Sequence, residues 1–387
     1  MTEQEAVIAL NMISGIGSQR LKKLLEACGS ASKVLLASGE KLRKIEGIGN
    51  KITQEITGFR FENLKKELAL AKKLNLRIIT LEDKEYPANL KNIYDPPICL
   101  YLKGKLSQED TLSLAIVGSR RASFYGLSCA EKFAFALAEL GISIVSGLAR
   151  GIDTQAHKGA LKAKGRTIAV LGSGLNCIYP LENKKLTEEI SAQGAVISEF
   201  PLNAKPLAQN FPRRNRVISG LSLAVIVVEA ARNSGALITA DFALEQGRDV
   251  FAVPGKVDSA TSFGTNQLIK QGAKLTDSVE DILEELKPGL KEFAKAQTLA
   301  YSVERIADSK ELNAKRFSAS AQEAALNRLG DEERLVYNLL TDKPRYADEL
   351  IEETGLSAAK TVSMLSRLEM QGIIQQLPGK MFIRKGV

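Results

Sequence analysis

Between Leu112 and Gly255, short apolar runs alternate with longer stretches in which apolar residues recur every three or four positions. The runs LSLAIVG (112–118), ISIVSG (142–147), TIAVLGSG (167–174), AVISE (195–199), LAVIVVEA (223–230) and DVFAVPG (249–255) predict strands. Stretches such as SCAEKFAFALAELG and GALITADFALEQG predict the helices between them. Strands that are apolar on both faces and joined by helical crossovers make a parallel sheet covered on both sides, an α/β, Rossmann-like doubly wound domain.

The flanks follow other periods. Residues 76–104, LRIITLEDKEYPANLKNIYDPPICLYLKG, are short β-branched runs broken by prolines, read as extra strands leading into the larger sheet. Near the start, ISGIGSQRLKKLLEA from Ile13 and IEGIGNKITQEIT from Ile45 repeat an apolar-x-Gly-Ile-Gly turn followed by a polar helix. Such turns let two helices meet in a tight hairpin whose backbone N–H groups open outward. Two readings stand: hairpins that grip nucleic-acid phosphates, or a small helical bundle with glycine turns.

Beyond Leu286 the apolar pattern fades, and 287–328 reads as a linker with some helix. The last block holds EERLVYNLL, YADELIEETG, LSAAKTVSMLSRLEMQG and two short strands around Pro378-Gly379, the outline of a winged helix. The expected domains are thus 1–62, 63–286 and 329–387, with 287–328 between the last two.

Charge sharpens this outline. Lys and Arg total 53 against 45 acids. Residues 1–60 carry nine basic and six acidic groups, 61–283 carry 28 and 23, and 331–387 carry eight and nine. A positive surplus in the first two blocks suits a polyanion, whereas the winged helix, with Lys360 and Arg367 alone on its recognition helix, suits protein contact or a purely structural role. The four cysteines are scattered without a Cys-x-x-Cys pair, which argues against zinc sites and disulfide frameworks. No run approaches the roughly 20 apolar residues that span a bilayer, and the N-terminus lacks signal-peptide character, so a cytoplasmic protein is expected.

The candidate chemistry collects at predicted strand ends, where doubly wound sheets bind ligands. These ends read Gly118-Ser119-Arg120-Arg121, Gly147-Leu148-Ala149-Arg150-Gly151, Gly172-Ser173-Gly174, Ser234-Gly235 and Pro254-Gly255. Glycines let the backbone approach a ligand, and the helix N-termini that follow favour phosphate. The segment NFPRRNRVISG adds Arg213, Arg214, Asn215 and Arg216, with Phe211, Val217 and Ile218 expected to pin the guanidiniums in place. Gly147, Arg150 and Gly151 are expected to shape a phosphate-facing cradle. His157, the only histidine, is read as a surface or capping residue, and Asp153 as a helix N-terminal residue. With no Walker motif and no tryptophan, contacts to phosphate outweigh base stacking.

The segments VGSRRAS, SGLARGIDTQAHKGAL, AVLGSGLNCIYPLENKKL, NFPRRNRVISGLS, VVEAARNSGALITADFALEQGRDVFAVPG and GTNQLIKQGAKL, in this order, resemble the DNA-processing protein A family, DprA or Smf. The resemblance spans nearly the whole α/β block and fits the flanking blocks, a tandem helix-hairpin-helix (SAM-like) module and a winged helix. It implies a non-enzymatic binder of single-stranded DNA that protects incoming strands in natural transformation, displaces single-strand-binding protein and loads RecA as a homodimer. It implies no cofactor or metal. By the same resemblance Gly118, Ser119 and Arg120 line the DNA pocket and Lys184 contributes a cation. A family lysine falls at Ala208, and Ile269 and Leu275 are dimer candidates. The competing reading is a Rossmann-type nucleotide-binding enzyme such as a nucleoside monophosphate phosphoribohydrolase. Those enzymes place a glutamate after a Gly-Thr loop, where this chain has Asn266 and Gln267.

Overall fold

The computed structural model describes residues 1–286, 329–341, 344–370, 374–377 and 381–384. The expected linker, 287–328, and the Pro378-Gly379 turn lie outside the described residues. The chain divides near residue 290 into two compact units.

The larger unit is built on one sheet of β1 (Arg77–Thr80), β2 (Cys99–Gly104), β3 (Ser113–Val117), β4 (Ser143–Ser146), β5 (Thr167–Val170), β6 (Ala195–Ser198), β7 (Ala224–Val227), β8 (Asp249–Ala252) and β9 (Lys274–Leu275). Its order is β1-β2-β6-β5-β4-β3-β7-β8-β9. The strands from β6 to β9 are parallel, while β1 and β2 extend the sheet antiparallel at one edge. Strands β3 to β7 are buried along their whole length because their side chains serve both faces. Ala115, Val117, Val145, Ile168, Val170, Val225 and Val227 pack towards α11 (Asn210–Leu221) and α12 (Gly235–Glu245). The alternate residues, such as Ala169 and Val196, pack under α9 (Ile152–Lys162) and α10 (Lys184–Gln193), with α8 (Phe124–Glu139) beside α9; the short α7 (Ala88–Lys91) lies against α11 and α13 (Phe263–Lys270) against β8. Gly159 lets α9 lie close against α8, since a β-carbon there would stand 2.9 Å from that of Ala134.

Six helices precede the sheet: α1 (Glu3–Asn11), α2 (Ser18–Cys28), α3 (Ala31–Leu35), α4 (Gly39–Arg43), α5 (Asn50–Thr57) and α6 (Phe61–Lys73). They bury Leu10, Leu24, Val34, Leu42 and Ile56 in a core that also takes Ile98 and Cys99 from the sheet side. Residue 62, the expected boundary, falls in the first turn of α6, whose Leu64 belongs to this helical core. Arg20 clasps the two glycine hairpins together, donating from Nε to Gly47 O at 3.1 Å and from Nη1 to Gly15 O at 2.6 Å. The first hairpin does not open outward as expected. Its N-terminal turn docks on the body of the unit, Ser18 Oγ donating to Asp95 at 2.6 Å and Gln19 bonding Tyr94 O. At Gly47 and Gly49, by contrast, the space beside the backbone is open.

The second unit has α14 (Asp331–Leu339), β10 (Arg345–Tyr346), α15 (Ala347–Thr354), α16 (Ala358–Met370), β11 (Ile374–Leu377) and β12 (Met381–Arg384). Its antiparallel sheet runs β10-β12-β11, and Val336, Leu340, Leu350, Leu365, Leu368 and Phe382 form its core. The α16 cations are paired: Lys360 with Glu332 at 2.6 Å and Arg367 with Glu333 at 2.9 Å. Arg345 is held by Glu349 and Glu353. This arrangement of helices and strands is a winged helix.

Candidate functional site

The strand order reverses direction at β3: the crossovers from β3 through β6 build outward on one side, and β7 starts again on the other. The crevice beyond the carboxyl ends of β3 and β7 is therefore the place where this architecture leaves room for a ligand. A cavity of about 760 Å³ lies there. Its walls include Gly118, Ser119, Arg120, Arg121, Asp153, Phe211, Arg214, Asn215 and the Asn233–Ala236 turn at the start of α12.

Inside this cavity the side chains supply more of the chemistry than the glycines do. The Ser119 backbone is satisfied by protein, its N–H donating to Glu229 O at 2.7 Å and its carbonyl accepting from Ile152 at 3.2 Å. Gly118 is a packing glycine: an added β-carbon would lie 2.6 Å from Ile152 Cγ1. Glu229 is buried and consumed in holding the loop, accepting from Ser123 N at 2.8 Å, Ser123 Oγ at 2.6 Å and Thr261 Oγ1 at 3.2 Å.

The cradle expected at Gly147 also turns out to face protein. Arg214 fills the space beside Gly147, and its Nη1 donates to the carbonyls of Gly147 and Val170. Gly172 likewise makes room for Phe211, whose ring would lie 2.9 Å from an added β-carbon. Gly147 and Arg150 border a small recess that shares Arg120, Ala149 and Phe211 with the main cavity, while Arg150 is tied in a bidentate pair to Glu182. Lys184, exposed at the first position of α10, is not among the cavity walls.

Helix α11 separates the arginines that adjacency in sequence groups together. Neighbours on a helix point about 100° apart, whereas positions three and four apart share a face. Phe211, Arg214, Asn215 and Ile218 line the main cavity; Arg213 and Arg216 line a second one. Arg216 is buried and bonds Glu199 at 2.7 Å, and Arg213 lies 3.5 Å from the same carboxylate. The assignment of all four consecutive polar residues to a single site is thereby corrected. Asn215 instead ties α11 to α12, donating to Gly235 O at 3.1 Å.

Three arginines, Arg120, Arg121 and Arg214, meet one carboxylate, Asp153, in the main cavity. Burial raises the Asp153 carboxyl above its ordinary range, opposed by Arg214, and burial draws Arg214 down to about 10, which leaves it charged at neutral pH. Arg120 is exposed, with its guanidinium 5.0 Å from the Phe211 ring centroid. The first turn of α12 brings the positive end of its dipole to the cavity: Ser234 caps it by accepting from Ala236 N at 3.3 Å, and the space beside Gly235 is open. An anion fits this balance of charge.

His157 is neither at the surface nor a cap. It is fully buried, its Nδ1 2.7 Å from Thr167 Oγ1, and burial pushes its imidazole down to about 3, so it is neutral. Ile269 packs partly buried against the main core, while Leu275 is half exposed on the edge strand β9. Phe211, Asp153 and the α12 turn are the site features that strand-end reading underweights; the helical spacing of Phe211 with Arg214 and Asn215 is the signal that points to the first of them.

Comparison with known proteins adds an independent line. The chain matches the DNA recombination-mediator protein A family over residues 77–287 and the DprA winged helix domain over residues 320–380. It is 40 % identical over 334 residues to Protein Smf of Escherichia coli (strain K12), covering 86 % of this chain and 84 % of that protein. The X-ray structure of DNA processing protein A from Streptococcus pneumoniae is similar at a TM-score of 0.65 and 40 % identity, over 74 % of this chain and 98 % of that one. A structure on the single-stranded DNA binding mode of DNA processing protein A from Helicobacter pylori is similar at a TM-score of 0.50 and 32 % identity, over 55 % and 97 %.

Proposed function

The chain belongs to the DNA recombination-mediator protein A (DprA/Smf) family, a family of DNA-processing proteins, and from that premise we propose that it is a single-stranded DNA-binding recombination mediator. On this reading it protects incoming DNA in the cytoplasm during natural transformation and loads RecA, as a homodimer and in exchange with single-strand-binding protein. The observation that carries the reading is the cavity at the sheet reversal, where Arg120 and Arg121 stand exposed over the open turn of α12. Guanidiniums and a helix N-terminus suit phosphodiesters of any sequence. Among the described residues no helix is long and apolar enough to cross a membrane.

The reading assigns no catalytic turnover. The groups that a hydrolase would need are engaged otherwise: Asn266 bridges the N–H and carbonyl of Gly255 at 3.3 and 3.1 Å, Glu229 holds the Ser123 loop, and His157 is sealed against Thr167. The site residues proposed for DNA are Gly118, Ser119, Arg120, Arg121 and the Asn233–Ala236 turn, with Arg214 and Asn215 as their support. For dimerisation, the half-exposed Leu275 is the better candidate of the two named.

The test is fluorescence anisotropy with a labelled oligo-dT and the matching duplex over a salt series. Tight, single-strand-selective binding whose log affinity falls steeply with log salt is expected. Weak binding that ignores salt would refute the reading.

A further inference from the structure

Apolar side chains left in water collect along one edge of the sheet. Phe124 opens α8 and is 93 % exposed, and Tyr125 beside it is exposed as well. The Tyr125 hydroxyl donates to Pro254 O at 3.2 Å, just past β8, and the loop that follows carries the exposed Val257 and leads to the exposed Phe263 at the first position of α13. Single apolar residues scattered over a surface are ordinary, but these four belong to two connected segments at the carboxyl ends of β3 and β8. Packing accounts for the segments and not for the ring. Ser123 turns inward, its N–H and Oγ donating to Glu229, and Gly126 rests on the same carboxylate, where an added β-carbon would lie 2.5 Å from Glu229 Cδ. Phe124 stands two positions before Gly126, about 200° round the helix, and faces away from this anchor.

The ring therefore stands at the rim of the main cavity. Glu229 also accepts from Thr261, a wall of that cavity, so the anchor of α8 and the wall share one carboxylate. Arg121, another wall residue, precedes Phe124 by three positions, at most about 11 Å of chain. Side chains on a helix lean toward its N-terminus, and that end of α8 follows the carboxyl end of β3, the edge on which the cavity opens. Arg121 and Lys256, both exposed, have no ion-pair partner among the described residues. A ring beside free cations is the arrangement that holds single strands without reading their sequence: charge retains the backbone, and the face of the ring takes a base.

We propose that Phe124 stacks on one base of a single strand whose phosphates lie over Arg120 and Arg121. The proposal rests on the single-stranded DNA reading of the main cavity and adds to it a contact with a base. Few aromatic residues are needed for this, since one ring serves one base. Because every base has a π-face, the contact adds affinity without choosing a sequence. In a duplex each base is already stacked and paired, and reaching the ring would require unstacking it, so the contact is open to a single strand alone. The free cations beside the ring favour a strand over an apolar protein surface as its occupant: a strand pairs them, whereas a protein contact that buried the ring would desolvate them without partners.

The experiment uses the full-length protein with labelled oligo-dT and an abasic deoxyribose-phosphate strand of equal length. Phe124→Ala should weaken binding of oligo-dT about fivefold or more, the smaller end of the range for one stacked base, while the affinity for the abasic strand and the salt slope stay as in the wild type. Phe124→Tyr, which keeps the π-face, should bind oligo-dT as the wild type does, whereas Phe124→Leu, which keeps only the apolar bulk, should not. The chain has no tryptophan, so Phe124→Trp places a single reporter at the ring, and its emission should be quenched by oligo-dT but not by the abasic strand. Urea melts of these variants should match the wild type because the side chain is exposed. Wild-type affinity of Phe124→Ala for oligo-dT, an equal loss on the abasic strand, or equal emission of the tryptophan variant on both strands would overturn the proposal while an intact salt slope still upheld the phosphate site. Absence of salt-dependent binding of the wild type to any strand would overturn both.

Discussion

Replacing Arg120 by alanine separates phosphate binding from folding more cleanly than any other change in the main cavity. The side chain is exposed, and its visible packing is the stack over Phe211 at 5.0 Å, so its loss should cost the fold about 0.5–1 kcal/mol. A charge-assisted hydrogen bond to a phosphodiester is worth about 1.5–3 kcal/mol, roughly 10- to 150-fold in affinity. Removing one phosphate contact to a single strand should also flatten the slope of log affinity against log salt by about 0.7. Fluorescence anisotropy with oligo-dT at several salt concentrations reads both quantities, and a urea melt reads the fold. Arg150→Ala is the internal control, since that guanidinium is held by Glu182 and should matter less. If Arg120→Ala left both affinity and slope unchanged, the phosphate path would not cross this pocket, and the assignment of the Gly118-Ser119-Arg120 turn would be wrong.

Gly147→Ala should destabilise the fold by about 3 kcal/mol, because its β-carbon would displace a buried guanidinium from two carbonyls; an unchanged urea midpoint would contradict this. His157 gives a pH signature. Its folded pKa, about 3, lies below the unfolded value of 6.5, so the unfolded chain binds the extra proton and stability is lost as pH falls through that window. The loss should approach about 1.4 kcal/mol per pH unit, and His157→Gln, which keeps a partner for Thr167, should remove it from acid-unfolding curves; identical curves would refute the assignment. Leu275→Glu should give a monomer by light scattering without loss of thermal stability, whereas Ile269→Glu should lower the melting temperature because that side chain packs on the core. A dimer that persists in the Leu275 variant would place the interface elsewhere.

The strands were legible because burial on both faces leaves an unbroken apolar run, and each run from Leu112 to Gly255 contains an observed strand. The two flanking strands at Arg77 and Cys99 were legible as strands, but the antiparallel pairing of β2 onto β6, which carries β1 with it, depends on a partner about a hundred residues away. His157 could have been placed: Ala160 and Leu161, three and four positions further along α9, share its face and pack inward.

What local reading could not supply was the far side of each glycine. Gly147 faces Arg214, Gly172 faces Phe211 and Gly151 faces Ser119, so the same small residue that suggests an open ligand cradle here closes a contact between distant loops. The consequence for function is a division of labour. The glycines fix the strand ends and hold Arg214 beneath the floor, where Asp153 accompanies it, and this leaves Arg120, Arg121 and the turn of α12 to face the solvent. A buried, charged floor with exposed cations above it suits a ligand whose backbone repeats but whose sequence varies. A lone pocket of that kind would bind any polyanion. Such a pocket holds the phosphate backbone in place and leaves the order of the bases unread.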